Sequence, residues 1–125
     1  SNLKYLMLLD SLLNPGRLGI KVKETSGGLE IDELSLSGPS EQAGLLPGDI
    51  IVEIDTQKIT KIWELENLLY DKAANQYVIV KVSRDKTFSR EKATTFEDDP
   101  SHPSRQYLFY QVLITPKNSL PEGVY

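Results

Sequence analysis

The sequence predicts an α+β domain: five strands and two helices around one core, preceded by a further apolar helix or strand. Three observations predict it. Residues 20–25 (IKVKET) and 29–36 (LEIDELSL) alternate apolar and polar side chains, the period of strands with one wet face. Residues 49–55 (DIIVEID) and 77–83 (YVIVKVS) are rich in β-branched residues and bounded by turn signals, as buried strands are. Residues 61–72 place Ile62, Leu65, Leu68 and Leu69 at helical spacing, an apolar stripe on one face.

Taken in order, residues 1–15 hold the one strongly apolar run, LKYLMLLDSLL. It is interrupted by Lys4 and Asp10 and is far shorter than the roughly 20 residues that span a bilayer, so it reads as a helix or strand packed on the domain. The chain opens Ser-Asn without a methionine, the expectation for an excised or processed fragment. NPGRLGI, residues 14–20, brings two glycines and an arginine immediately before the first strand. Ser26-Gly-Gly makes the first two strands a hairpin, and a phase slip near Asp32 and Glu33 predicts a bulge. In GPSEQAGL, residues 38–45, Pro39 suits a first helical position and Gly44 a C-terminal stop, so a helix of barely two turns is expected.

Thr60 is placed to cap the long helix, with Trp63 and Tyr70 at the flanks of its stripe. Residues 85–105 are polar, contain DDPSHPS and show no sustained period, which predicts a long mobile loop open to proteolysis at Arg90, Lys92 or Arg105. Residues 106–115 (QYLFYQVLIT) are the closing strand, and 118–125 a tail, with Pro116 and Pro121 keeping the chain from 116 onward out of regular structure.

Composition bounds function. With 125 residues, 39% hydrophobic, the chain fits one domain with one core. A net charge of -4 and scattered cations leave no footprint for nucleic acid or an anionic membrane. The absence of cysteine excludes disulfides and thiolate chemistry and leaves the compartment open. His102, the only histidine, sits in the polar 85–105 segment away from any serine at a strand end, so a Ser-His-Asp site is not expected. With Asp98 and Asp99 it makes no closed metal site, and no cofactor is called for.

The order strand, strand, short helix, strand, long helix, strand, strand, with a glycine loop before the first strand, resembles the PDZ domain. RLGI (residues 17–20), GPSEQAGLLPGDIIVEIDTQKI (38–59) and the helix at 61–72 carry the resemblance, which covers roughly 16–84 plus 106–115. Within the family, GRLGI followed by AGLLPGDIIVEID looks most like PDZ domains of bacterial envelope proteases, of the high-temperature-requirement or carboxy-terminal processing type. Ser40, where those proteins usually carry alanine, and the long insertion depart from that pattern.

The resemblance implies a partly open β-barrel or sandwich of five to six strands capped by two helices, spanning 16–117. It implies a non-catalytic, peptide-binding module that captures C-terminal carboxylates or extended segments by strand addition, as a regulatory or substrate-recognition part of a larger protein. A periplasmic or envelope location follows from the resemblance alone. The N–H groups of Leu18, Gly19 and Ile20 would hold the carboxylate, with Arg17 adding charge. Lys21, Val22 and Lys23 would flank the ligand strand, and Ile62, Glu66, Leu69 and Tyr70 would face it from the helix. An apolar Ile62 implies apolar ligand residues at the terminal and antepenultimate positions. The tail ends in Val124 and Tyr125, itself of this form, so weak self-association of Gly123 to Tyr125 with a neighbouring molecule's loop is expected. The competing reading is an interdomain docking element with an unused groove, filled by residues 3–13 or by the insertion, or the regulatory domain of a protease whose catalytic part lies elsewhere.

Overall fold

A computed structural model describes residues 16–72, 75–116 and 123–125. The apolar segment 1–15 and most of the 118–125 tail lie outside the described residues. Strands β1 (Ile20–Thr25), β2 (Gly28–Leu34), β3 (Ile50–Ile54), β4 (Gln57–Lys58), β5 (Tyr77–Asp85), β6 (Thr95–Asp98) and β7 (Arg105–Leu113) form one antiparallel, unclosed sheet. Its order is β1-β2-β3-β5-β7-β6, with β4 on β3. Helices α1 (Pro39–Ala43) and α2 (Ile62–Asp71) complete the α+β fold.

The hairpin, its bulge and the short helix follow the sequence pattern. Lys21 pairs with Glu33 and Val22 with Ile31, so Asp32 is the extra residue. The slip keeps both Leu29 and Ile31 buried while Asp32 and Glu33 stay exposed. Pro39 opens α1 and Gly44, at φ 107°, closes it in the left-handed conformation. On β5 and β7 the alternation buries Val78, Val80 and Val82 against Leu108, Tyr110 and Val112. Together with Leu65, Leu68 and Leu69 of α2 these side chains form the core.

Two short strands join the five that the sequence pattern marks. β4 is a two-residue return onto β3. β6 lies inside the 85–105 segment that the sequence presents as a mobile loop, and it pairs with β7 along the sheet edge. All four β6 residues are exposed, so no apolar period marks them; main-chain pairing and the Arg90 guanidinium stacked 3.7 Å from the Phe96 ring centre hold them. Arg105 belongs to β7, and its side chain bonds Ser83.

One buried cation ties these parts together. Arg84 is 3% exposed and uses its full donor fork: Nε to Asp49 Oδ1 at 2.7 Å, Nη1 to Tyr110 Oη and Ser89 O at 2.6 Å, Nη2 to Asp49 Oδ2 and to Gly44 O. Burial opposes the charge, yet the Asp49 carboxylate holds the Arg84 pKa above its ordinary value. The guanidinium thereby joins the end of α1, the turn before β3, the insertion and β7.

Candidate functional site

The segment 17–20 is held from both sides. Arg17 bridges Thr115 after β7, its N–H donating to Thr115 O at 2.8 Å and its carbonyl accepting from Thr115 N–H at 3.1 Å. The Leu18 carbonyl accepts from Ser40 N–H in α1, and the Gly19 carbonyl from Ser35 N–H after β2. With both carbonyls engaged on that side, the N–H groups of Leu18 and Gly19 turn the other way. They converge on one oxygen, the main-chain oxygen of Tyr125, at 2.8 and 3.0 Å. Tyr125 N–H in turn donates to Ile20 O at 2.8 Å. Two successive amides are thus aimed at one oxygen, the geometry of a backbone nest.

Gly19 is set by its backbone conformation. Its φ is +74°, and a Cβ would meet Pro39 Cδ at 3.2 Å and Ser35 Cβ at 3.3 Å, on the α1 side. The glycine permits the backbone turn that brings the two amides together.

The structure brings some expected residues together and separates others. Ile20 contributes a carbonyl acceptor to the tail, alongside the two amides of its neighbours. Arg17 acts through its main chain; its Nη1 bonds Gly16 O at 3.3 Å, and its buried Nε has no hydrogen-bond partner among the described residues. Lys21 pairs with Glu33 at 3.4 Å, and Lys23 with Glu30 and Asp32 at 3.3 and 3.6 Å. The hydrogen bond from Lys23 to Glu30 raises the Lys23 pKa, with both carboxylates adding to the effect. These ammonium groups are therefore already matched by β2. Val22 packs against the core, as does Ile62, while Glu66 is exposed. Leu69 is buried in the core against which Tyr125 also packs, and Tyr70 is 49% exposed.

Among the described residues β1 is an edge strand, and α2 approaches it at its far end. There Glu24, in β1, accepts the Ile62 N–H at 2.9 Å and ion-pairs with Lys61 at 3.7 Å. Sequence reasoning missed this latch, because a carboxylate 38 residues away satisfies a helix N-terminus. The expected Thr60 cap works in reverse. Lys61 is the N-cap, and Glu64 accepts from Thr60 N–H, Thr60 Oγ1 and Lys61 N–H at 2.9–3.0 Å. The bond from Thr60 N–H, then that from its hydroxyl, lowers the Glu64 pKa.

His102 lines a hollow of about 420 Å³ with Asp99 and Arg105. Its Nδ1 is 3.4 Å from Asp99 Oδ2, and its main chain shapes the turn into β7. Burial would push the Asp99 carboxyl up, but hydrogen bonds from Ser101 N–H, Tyr107 and His102 hold it below the usual range.

The glycine loop, edge strand and helix are accompanied by a direct family match: the PDZ domain model matches residues 16–93. The chain belongs to the PDZ family. No curated protein matches it in sequence. Among solved structures this PDZ domain is similar to HtrA-type proteases. The protease AlgW bound to a decapeptide aligns at TM-score 0.59 and 21% identity, covering 85% of this chain and 31% of AlgW. AlgW with a tripeptide aligns at 0.62 and 20%, covering 94% and 38%. The serine endoprotease from Yersinia pestis aligns at 0.61 and 20%, covering 94% and 36%. The chain thus spans about a third of those proteases' length. At this identity the likeness is one of fold.

The contact expected between neighbouring molecules is made within one chain. Tyr125 occupies the loop of its own domain, and Val124 beside it is 9% exposed.

Proposed function

We propose that this PDZ domain binds peptides by capturing a terminal carboxylate at the Leu18–Gly19 amides and pairing the residues that precede it with the edge of β1. One observation carries the reading: two successive N–H groups converge on a single main-chain oxygen while Ile20 O accepts the adjoining N–H. That is the donor and acceptor order that a peptide end requires. Lys21 and Lys23 then add little charge, since both are paired within the sheet. Apolar ligand ends are favoured, because Tyr125, whose main chain sits at this loop, packs its side chain against the core that contains Leu69. Among the described residues, the insertion's side-chain bonds reach α1 through Lys92, Arg84 through Ser89 and Lys81 through Glu97. In a longer protein such a module recognises substrates or regulates a protease; the AlgW complexes with peptides make that role the natural one to test.

The test is calorimetry on the chain lacking residues 123–125, with one apolar-ended peptide as free acid and as amide. The acid is expected to bind about tenfold tighter or more, the value of a charge-assisted bond pair. Equal affinities would remove carboxylate capture from the account.

A further inference from the structure

The groove described above already holds part of this chain. We propose that Gly123 to Tyr125 is a built-in competitor, a segment that occupies the carboxylate loop in cis and that an incoming peptide must displace. The inference rests on reading the groove as a peptide site, and it adds how that site is controlled.

Three features support it. The tail makes the ligand's bonds: Leu18 N–H and Gly19 N–H to Tyr125 O, and Tyr125 N–H to Ile20 O. Its apolar side chains are covered, Val124 at 9% exposure and Tyr125 against the core. Its tether is short and its two ends meet, because Thr115 bridges Arg17 while Tyr125 bonds the next residues, Leu18 to Ile20. The connection leaves and returns at adjacent points, so closing it costs little entropy and its effective concentration is in the millimolar range. A tail from a second molecule competes poorly with that.

The hold is also partial, which makes displacement feasible. Gly123 has φ +84°, a turn out of the extended conformation. Among the described residues the tail bonds no β1 residue beyond Ile20. An extended peptide that continues along the β1 edge gains main-chain bonds that the tail lacks. If the effective concentration exceeds the tail's dissociation constant about tenfold, the loop is open about one-tenth of the time. External affinity is then weakened about tenfold.

The experiment measures anisotropy of a fluorescein-labelled peptide of residues 118–125 on three proteins: the 125-residue chain, the chain ending at Glu122, and Gly123→Ala. A Cβ at Gly123 meets open space, so the last variant disturbs only the left-handed turn. Truncation should tighten binding about tenfold, with Gly123→Ala falling between. Equal, measurable affinities on all three would overturn the competitor and leave the groove reading standing. No binding to any of them, with the truncated chain folded by circular dichroism, would overturn the groove reading itself. Sedimentation of the 125-residue chain at high concentration should give a monomer; a dimer lost on truncation would show the tail docking in trans and sink the cis arrangement.

Discussion

Replacing Gly19 by alanine separates backbone geometry from ligand access as the reason for a glycine in this loop. The residue sits at φ +74°, where an L-residue costs about 1–2 kcal/mol. The new Cβ would lie 3.2 Å from Pro39 Cδ and 3.3 Å from Ser35 Cβ, close enough that both must yield by a few tenths of an ångström. A total of about 2 kcal/mol is expected, or about 6–8 °C of melting temperature at about 3–4 °C per kcal/mol for a domain of this size. Gly48→Ala is the matched control: φ is +91° and its Cβ would meet nothing within 4 Å. It should cost about 1–2 kcal/mol from the dihedral alone. Thermal unfolding and peptide calorimetry, both on chains lacking residues 123–125, read the two effects. Gly19→Ala should also weaken the peptide at least about tenfold, because the turn aims both amides, while Gly48→Ala leaves affinity unchanged. If Gly19→Ala melts like the parent and binds as well, the argument that the turn builds the nest is wrong.

Removing the buried guanidinium with Arg84→Ala strands the Asp49 carboxylate and should cost about 3–5 kcal/mol by urea unfolding; a loss below about 1 kcal/mol would contradict the network's role. The Glu64, Asp85 and Asp99 pKa values are lowered in the fold, so their contribution is present above the unfolded carboxylate values near pH 4 and is lost as pH falls through the folded ones. Stability should therefore drop in acid, and Glu64→Gln should shrink that drop; an unchanged pH profile would remove Glu64 from the account. Within 85–105, trypsin should reach the exposed Arg90 and Lys92 well before Arg105, which is paired in β7 and bonded to Ser83. Early cleavage at Arg105, read by mass spectrometry, would contradict the strand.

What the sequence makes legible is what local pattern controls. Alternation in IKVKET and LEIDELSL locates the hairpin, the broken alternation at Asp32 locates its bulge, and Pro39 with Gly44 brackets α1. RLGI marks the loop because a glycine between apolar residues at a strand start leaves a local trace. The β6 strand leaves none: Thr95 to Asp98 are exposed on both faces and owe their order to pairing with β7. The same holds for contacts that span the chain. Asp49 and Arg84 lie 35 residues apart, and Glu24 and Ile62 lie 38 apart; neither pair has a spacing that announces it. The tail is an intermediate case. That Val124 and Tyr125 are apolar is plain in the sequence, but that Tyr125 bonds the loop of its own domain is a tertiary fact.

The central claim is that the Leu18 and Gly19 amides hold a peptide's terminal carboxylate. Its most direct measurement is an amide-resolved NMR titration of the chain lacking residues 123–125 with a peptide ending in valine and tyrosine. The account predicts that the Leu18 and Gly19 amide protons move downfield and approach saturation together, with slower exchange along the β1 edge and no comparable change around Asp99 and His102. Saturable binding that leaves those two amides unmoved, with its largest shifts elsewhere on the sheet, would contradict it.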